Sequence, residues 1–178
     1  MSSSFLHAIR TRQFPALTRV REPAASALRI AAPLSLGIMA GFFFAFSNPV
    51  MMAFPQLSAE IFITAFNSIN FSVRNGVFYA AFFSPLAILF AAALTDRHNR
   101  LIWFTVLVIY AVVVIQTRMV NVPINEFFKT ISTEIPSNWQ ELRDHWALSN
   151  LIRTVLTSIG FFLALLAATR RAGKKSDD

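Results

Sequence analysis

The chain is 178 residues long, the length of one ordinary domain, yet 55% of it is hydrophobic and only 14% charged, against roughly 25% charged residues in soluble proteins. Sixteen Lys and Arg against nine Asp and Glu leave a net charge of +7, which in so apolar a chain points to lipid headgroups rather than nucleic acid. These proportions argue against a water-soluble globule, and the lack of cysteine excludes a disulfide framework, a thiolate metal site, an iron–sulfur cluster and a Cys nucleophile.

A helix needs about 20 mostly apolar residues to cross the hydrocarbon core of a bilayer. Four windows meet that requirement, at residues 27–46, 76–95, 101–120 and 149–169. The predicted fold is all-α, a four-helix transmembrane bundle with short interfacial helices in two long outer loops. Residues 1–26 read as a basic cytoplasmic leader, 27–169 as one four-span membrane domain, and 170–178 as a basic, polar cytoplasmic tail. The Arg-rich, Ser-containing start also has the composition of a targeting peptide, and Ala45-Phe46-Ser47 loosely fits a signal-peptidase site. The long charged leader and the length of the apolar run favour a retained first span.

Eleven of the 16 basic residues lie before or at the very start of the first span, follow the fourth, or sit in the short turn between the second and third. Because Lys and Arg are retained on the cytoplasmic side, both termini are expected in the cytoplasm and both long connections outside. In the first connection, Ser47-Asn48-Pro49 is expected to break the first span. From Ser58 to about Phe71 the pattern predicts a short helix with Glu60, Thr64, Asn67 and Phe71 on one face. That face either lies toward water on an interfacial helix, or turns Asn67, Asn70 and Asn75 into the mouth of the bundle.

The third span ends in Asn121-Val122-Pro123-Ile124-Asn125. Pro123 is expected to distort the helix and free carbonyls at membrane depth, for which Asn121 and Asn125 are the local partners. Residues 139–150 are expected to form a helix continuous with the fourth span. On it Trp139, Trp146, Asn150 and Arg153 share one face, with Arg153 a turn inside the membrane boundary. An ionisable group there must snorkel, pair, or face a polar cavity; the tryptophans also suit an interface belt.

His7, His98 and His145 are scattered, so neither a four-ligand zinc site nor a paired Glu-x-x-His di-iron motif is present. Glu141 and His145 stand one helical turn apart, the spacing of a solvated i,i+4 contact. There is no nucleophile elbow, phosphate-binding glycine loop or dinucleotide fingerprint. No metal and no cofactor are expected, and no nucleic-acid partner.

Four strings occur in a telling order: residues 37–47 (GIMAGFFFAFS), Ile69-Asn70 followed by Asn75, Asn121-Val122-Pro123-Ile124-Asn125, and Trp146 with Asn150, Arg153 and Thr154. Together they resemble the anthrone oxygenase-like family of small four-helix integral membrane proteins, from about Leu34 to Ala168. This chain has Phe66-Asn67 where the family often has Met-Gln, Gly76 for a proline, and Leu151 for a histidine. The resemblance implies oxygenation of a polycyclic anthrone to an anthraquinone by dioxygen, without an obvious metal or flavin. It makes Arg153, Asn150 and His145 the candidate catalytic residues, with Glu141 or Asp144 as other possible bases. Trp146, Asn70, Asn67, Asn121 and Asn125 become candidates for binding a small, flat, hydrophobic aromatic ligand. The rival expectations are a non-catalytic scaffold or subunit of a larger membrane complex, and a small-molecule carrier. The partners expected are the lipid bilayer, such a ligand, and a second copy or another membrane protein.

Overall fold

The computed structural model describes residues 15–131 and 134–170. The first 14 residues of the expected leader, and the expected tail beyond Arg170, lie outside them. The described residues are helical, without strands. They form α1 (Pro15–Ala45), α2 (Ala59–Val73), α3 (Gly76–Thr95), α4 (Arg100–Gln116), α5 (Val122–Thr130) and α6 (Trp139–Thr169). Four stretches are long and apolar enough to cross a membrane: Pro23–Gln56, Gly76–Thr95, Arg100–Thr130 and Trp139–Thr169.

Helices α1, α3, α4 and α6 close into a ring in which α1 and α4 each pack against α3 and α6. Leu36, Met39, Phe43, Leu89, Trp103, Val106 and Val113 fill its centre, while Ile30, Phe90, Leu101, Phe104 and Phe162 stand on the outside. Large apolar side chains on both faces of each helix are what a hydrocarbon solvent selects, since water would penalise the outer set. Gly37 lets α1 and α6 approach closely: a Cβ there would lie 3.3 Å from the Phe161 ring.

Two prolines lie at irregular turns, and the first acts differently from the sequence expectation. Pro49 does not break the first span; it sits in a π-helical turn, Phe46–Val50, after which the chain continues through Met51–Ala53 to Gln56. Pro123 does distort the helix as expected: the chain runs helically from Arg100 to Thr130, and the proline, with no N–H to give to the turn before it, follows an irregular turn. The irregularity falls just before it, in a second π-helical turn, Thr117–Asn121. Widened turns of this kind occur often at functional sites.

The two long connections fold onto each other rather than lying flat. In α2, Phe62, Ile63 and Phe66 are buried against Met51, Phe54, Ile124, Phe128 and Trp146, forming a second apolar core at one end of the bundle. Phe62 and Phe66 meet Phe128 with ring centroids 5.3 and 5.2 Å apart. Such aromatic pairs are worth about 0.5–1.5 kcal/mol each beyond their buried area. The rest of the expected stripe, Glu60, Thr64 and Phe71, is exposed.

At the opposite end, the α3–α4 turn is clasped to α1. Asp96 accepts hydrogen bonds from Arg29 Nε (2.9 Å), Asn99 Nδ2 (3.1 Å) and Trp103 Nε1 (3.1 Å). Burial by itself would raise the Asp96 carboxyl, but the bonds from Arg29, Asn99 and Trp103 outweigh it and hold the group well below the usual carboxylate range. A depressed folded pKa stabilises the native state fully above the unfolded value of about 3.9, and that contribution is lost as pH falls through the folded value. In micelles the clasp's contribution should therefore be constant from neutral pH down to about 5 and fade only in stronger acid. Asp96→Ala should cost on the order of 2–4 kcal/mol in unfolding titrations at pH 7, because it strands Asn99 and the Trp103 indole N–H.

Candidate functional site

Between the two cores lies a cavity of about 270 Å³, a little below the roughly 300–1,000 Å³ usual for small-molecule sites and so suited to one compact ligand. Its apolar wall comes from Phe42 and Phe46 of the first span, Phe78, Tyr79, Phe82 and Phe83 of α3, and Trp146 of α6. Tyr79 and Phe83 are also 46% and 50% exposed on the outer side of α3, so the wall there is shared with the surroundings of the bundle. The polar lining consists of Asn70, Arg74, Thr117, Arg118, Asn121, Asn125, Asn150 and Arg153. Three of these are cations, and none is an acid or a histidine.

Arg153 is only 5% exposed, so it does not snorkel. Its Nη2 donates to Asn150 Oδ1 at 2.8 Å and its Nη1 to Thr117 Oγ1 at 3.2 Å. The guanidinium carbon stands 4.7 Å from the Phe43 ring centre and 5.5 Å from that of Trp146, within cation–π range. Its Nε has no hydrogen-bond partner, and no carboxylate among the described residues pairs with it. The cavity therefore contains a buried positive charge held by neutral groups.

Asn150 fixes this arrangement. Its Nδ2 donates to the Phe43 carbonyl (2.9 Å) and to Ser47 Oγ (2.6 Å), which turns Oδ1 toward Arg153. Ser47 also bonds Thr154 Oγ1 at 2.9 Å. Ser47 and Thr117 both belong to the π-helical turns, so each widened turn supplies a hydroxyl to the face of α6.

A second chain runs beside it. Gln116 Nε2 donates to Ser149 O and Oγ, Ser149 Oγ donates to Asn121 Oδ1 at 2.8 Å, and Trp146 Nε1 donates to Asn125 Oδ1 at 2.7 Å. Asn121 and Asn125 thus tie α4 and α5 to α6 instead of serving the local carbonyls expected from Pro123. At the rim, Arg74 pairs with Glu126 at 2.6 Å and joins the end of α2 to α5.

Of the residues singled out from the sequence, Arg153, Asn150, Trp146, Asn70, Asn121 and Asn125 come together around the cavity. His145 does not: it is exposed on α6, as are Glu141 and Asp144, because the face carrying Trp146 and Asn150 is turned inward. Asn67 does not line the cavity either; its Nδ2 bonds the Phe128 carbonyl at 3.0 Å and pins α2 to α5. Asn75 caps α3, accepting from Phe78 N at 3.0 Å, and Trp139 packs on Phe62 in the second core. Ser47, Thr117, Arg74 and Arg118 join the site without having stood out as candidate site residues in the sequence. Hydroxyls at the ends of apolar runs were the available signal for the first two. Among the described residues no three His, Asp or Glu side chains are grouped to hold a metal ion.

A family profile described as anthrone oxygenase matches residues 68–163. The chain belongs to the anthrone oxygenase family. Every lining residue except Phe42 and Phe46 falls inside the matched segment, so the cavity is built almost wholly from the part shared with the family. Leu151, the position at which the resemblance implies a histidine, is 50% exposed and lies outside the lining. No curated protein and no solved structure matches the chain.

Asn121→Ala should cost about 1–3 kcal/mol in unfolding titrations, since it removes the acceptor of a buried Ser149 hydroxyl. Asn67→Ala, at a half-buried and simpler contact, should cost about 1 kcal/mol in the same measurement.

Proposed function

We propose that the protein is a membrane-embedded oxygenase that takes a flat, hydrophobic anthrone-type substrate into this cavity and oxidises it with dioxygen. The observation that carries the reading is a guanidinium buried in an aromatic-walled cavity without a counter-ion among the described residues, within the segment matched by the family. In a site shielded from water, donors aimed at developing negative charge are worth far more than in solution.

The chemistry balances without an added reductant. The anthrone methylene loses a proton to give a delocalised enolate, whose ring carbon forms a C–O bond with dioxygen to give a hydroperoxide. Loss of the second hydrogen as a proton, with O–O cleavage, leaves the second carbonyl and releases water. One oxygen atom ends in the quinone and the other in water. Arg153 is the donor to the enolate oxygen, Asn150 and Thr117 are positioning residues that hold the guanidinium, and Trp146, Phe78 and Phe82 provide the slot for the rings. The biased distribution of basic residues supports an orientation with both termini cytoplasmic and the cavity end outward.

Incubation of the purified protein with an anthrone under oxygen should give quinone absorbance well above a heat-killed control. Arg153→Ala should lower kcat/KM on the order of 100-fold or more, as loss of one oxyanion donor does elsewhere. Asn150→Ala should also reduce turnover, and membrane insertion should persist in both. Unchanged turnover in both variants, or no quinone above the control with wild type, rejects the reading and leaves a non-catalytic scaffold.

A further inference from the structure

The lining of the cavity has donors and three cations but no base. None of its lining residues is Asp, Glu, His or Lys, and the tyrosine among them, Tyr79, sits at the half-exposed outer wall. Of the other titratable groups near the cavity, Glu126 is held in the ion pair with Arg74 at the rim, Tyr110 donates its hydroxyl proton to the Phe82 carbonyl at 2.8 Å, and Glu141, Asp144 and His145 are exposed on α6. Arg153 meanwhile is buried, lacks a carboxylate partner among the described residues, and has an unpartnered Nε. Arg118 at the rim adds a second cation without an ion pair among the described residues, and Arg74 is already paired with Glu126. A fixed positive charge with no protein anion nearby favours the ionised form of any acid placed against it.

We propose that the cavity takes its ligand as an aromatic oxyanion, an ionised enol or phenol seated against Arg153, and that none of the described side chains acts as the base. The proton leaves to water before or during entry, and the protein promotes ionisation through charge. The inference rests on the oxygenase reading for the identity of the acid; the oxyanion site itself rests on the cavity alone. It replaces a proton-transfer step by an electrostatic one: the C–H or O–H bond breaks outside the protein's own chemistry, and its electron pair stays on the ligand.

A monohydroxyanthraquinone tests this directly, because its phenolate absorbs at longer wavelength than its phenol and does not undergo the oxidation. Bound to wild-type protein in micelles, the dye should show the phenolate band at least one pH unit below the value at which it ionises in empty micelles, a tenfold preference for the anion. Arg153→Met should abolish that displacement and Arg153→Lys should keep part of it. A dye bound as the neutral phenol, or a displacement that survives Arg153→Met, overturns the proposal; the wild-type spectrum decides alone if the methionine variant does not fold. In turnover assays Glu141→Gln, Asp144→Asn and His145→Gln should each match wild type within twofold. The pH profile of kcat/KM should move with the acidity of the anthrone supplied, and a tenfold loss in any of the three variants, or a profile fixed across substrates, refutes the absence of a base. Bound phenolate without quinone formation keeps the oxyanion site and removes the oxygenase reading. Quinone formation with a neutral bound dye does the opposite.

Discussion

A guanidinium inside four apolar helices is costly, by at least a few kcal/mol, unless its surroundings replace the water it has lost. Much of the site end of this bundle is arranged around that requirement. Asn150 and Thr117 accept from Arg153, Phe43 and Trp146 offer their ring faces, and Asn150 is itself held by Ser47 and the Phe43 carbonyl. Because every partner is neutral, the charge is solvated but not cancelled. An acid at the same place would have made a stable pair and an inert one.

The two π-helical turns explain how regular helices deliver these partners. A continuous α-helix with a satisfied backbone has no reason to change its phase at membrane depth, whereas one widened turn rotates everything beyond it. Phe46–Val50 and Thr117–Asn121 do this in the two spans that flank the inward face of α6. Both bring a hydroxyl, Ser47 or Thr117, toward that face, and the second also brings Asn121. Past the turns, the chain has the phase that lets α2, α5 and the start of α6 bury their aromatic residues together. The cavity is the space left between that aromatic core and the core of the bundle.

Most of the architecture could be read from the sequence because hydrocarbon imposes long apolar windows. The spans at Gly76–Thr95 and in α6 were legible for that reason. The shared face of Trp146, Asn150 and Arg153 followed from helical spacing alone. What was not legible came from phase and tertiary contact. Pro49 looked like a break, since a sequence carries no mark of a π-helical turn that accommodates it, whereas the distortion expected at Pro123 is present in the π-helical turn just before it. His145 is next to Trp146 in sequence, but a step of one residue turns it about 100° around the axis, away from the cavity. Asn67 and Asn75 had the right residue type for the mouth of the bundle, and backbone groups of α5 and α3 claimed them first.

Tyr79 and Phe83 belong to the cavity wall on one side and to the outer surface of α3 on the other. A polycyclic compound is sparingly soluble in water and collects in membranes, so the occupancy of such a site is governed by partitioning into lipid and not by the aqueous supply. Dioxygen also dissolves better in hydrocarbon than in water. Under the proposed function, a wall open to the acyl chains would draw both reactants from the phase in which each is most abundant, while the guanidinium would keep the ionic part of the chemistry at a single fixed point.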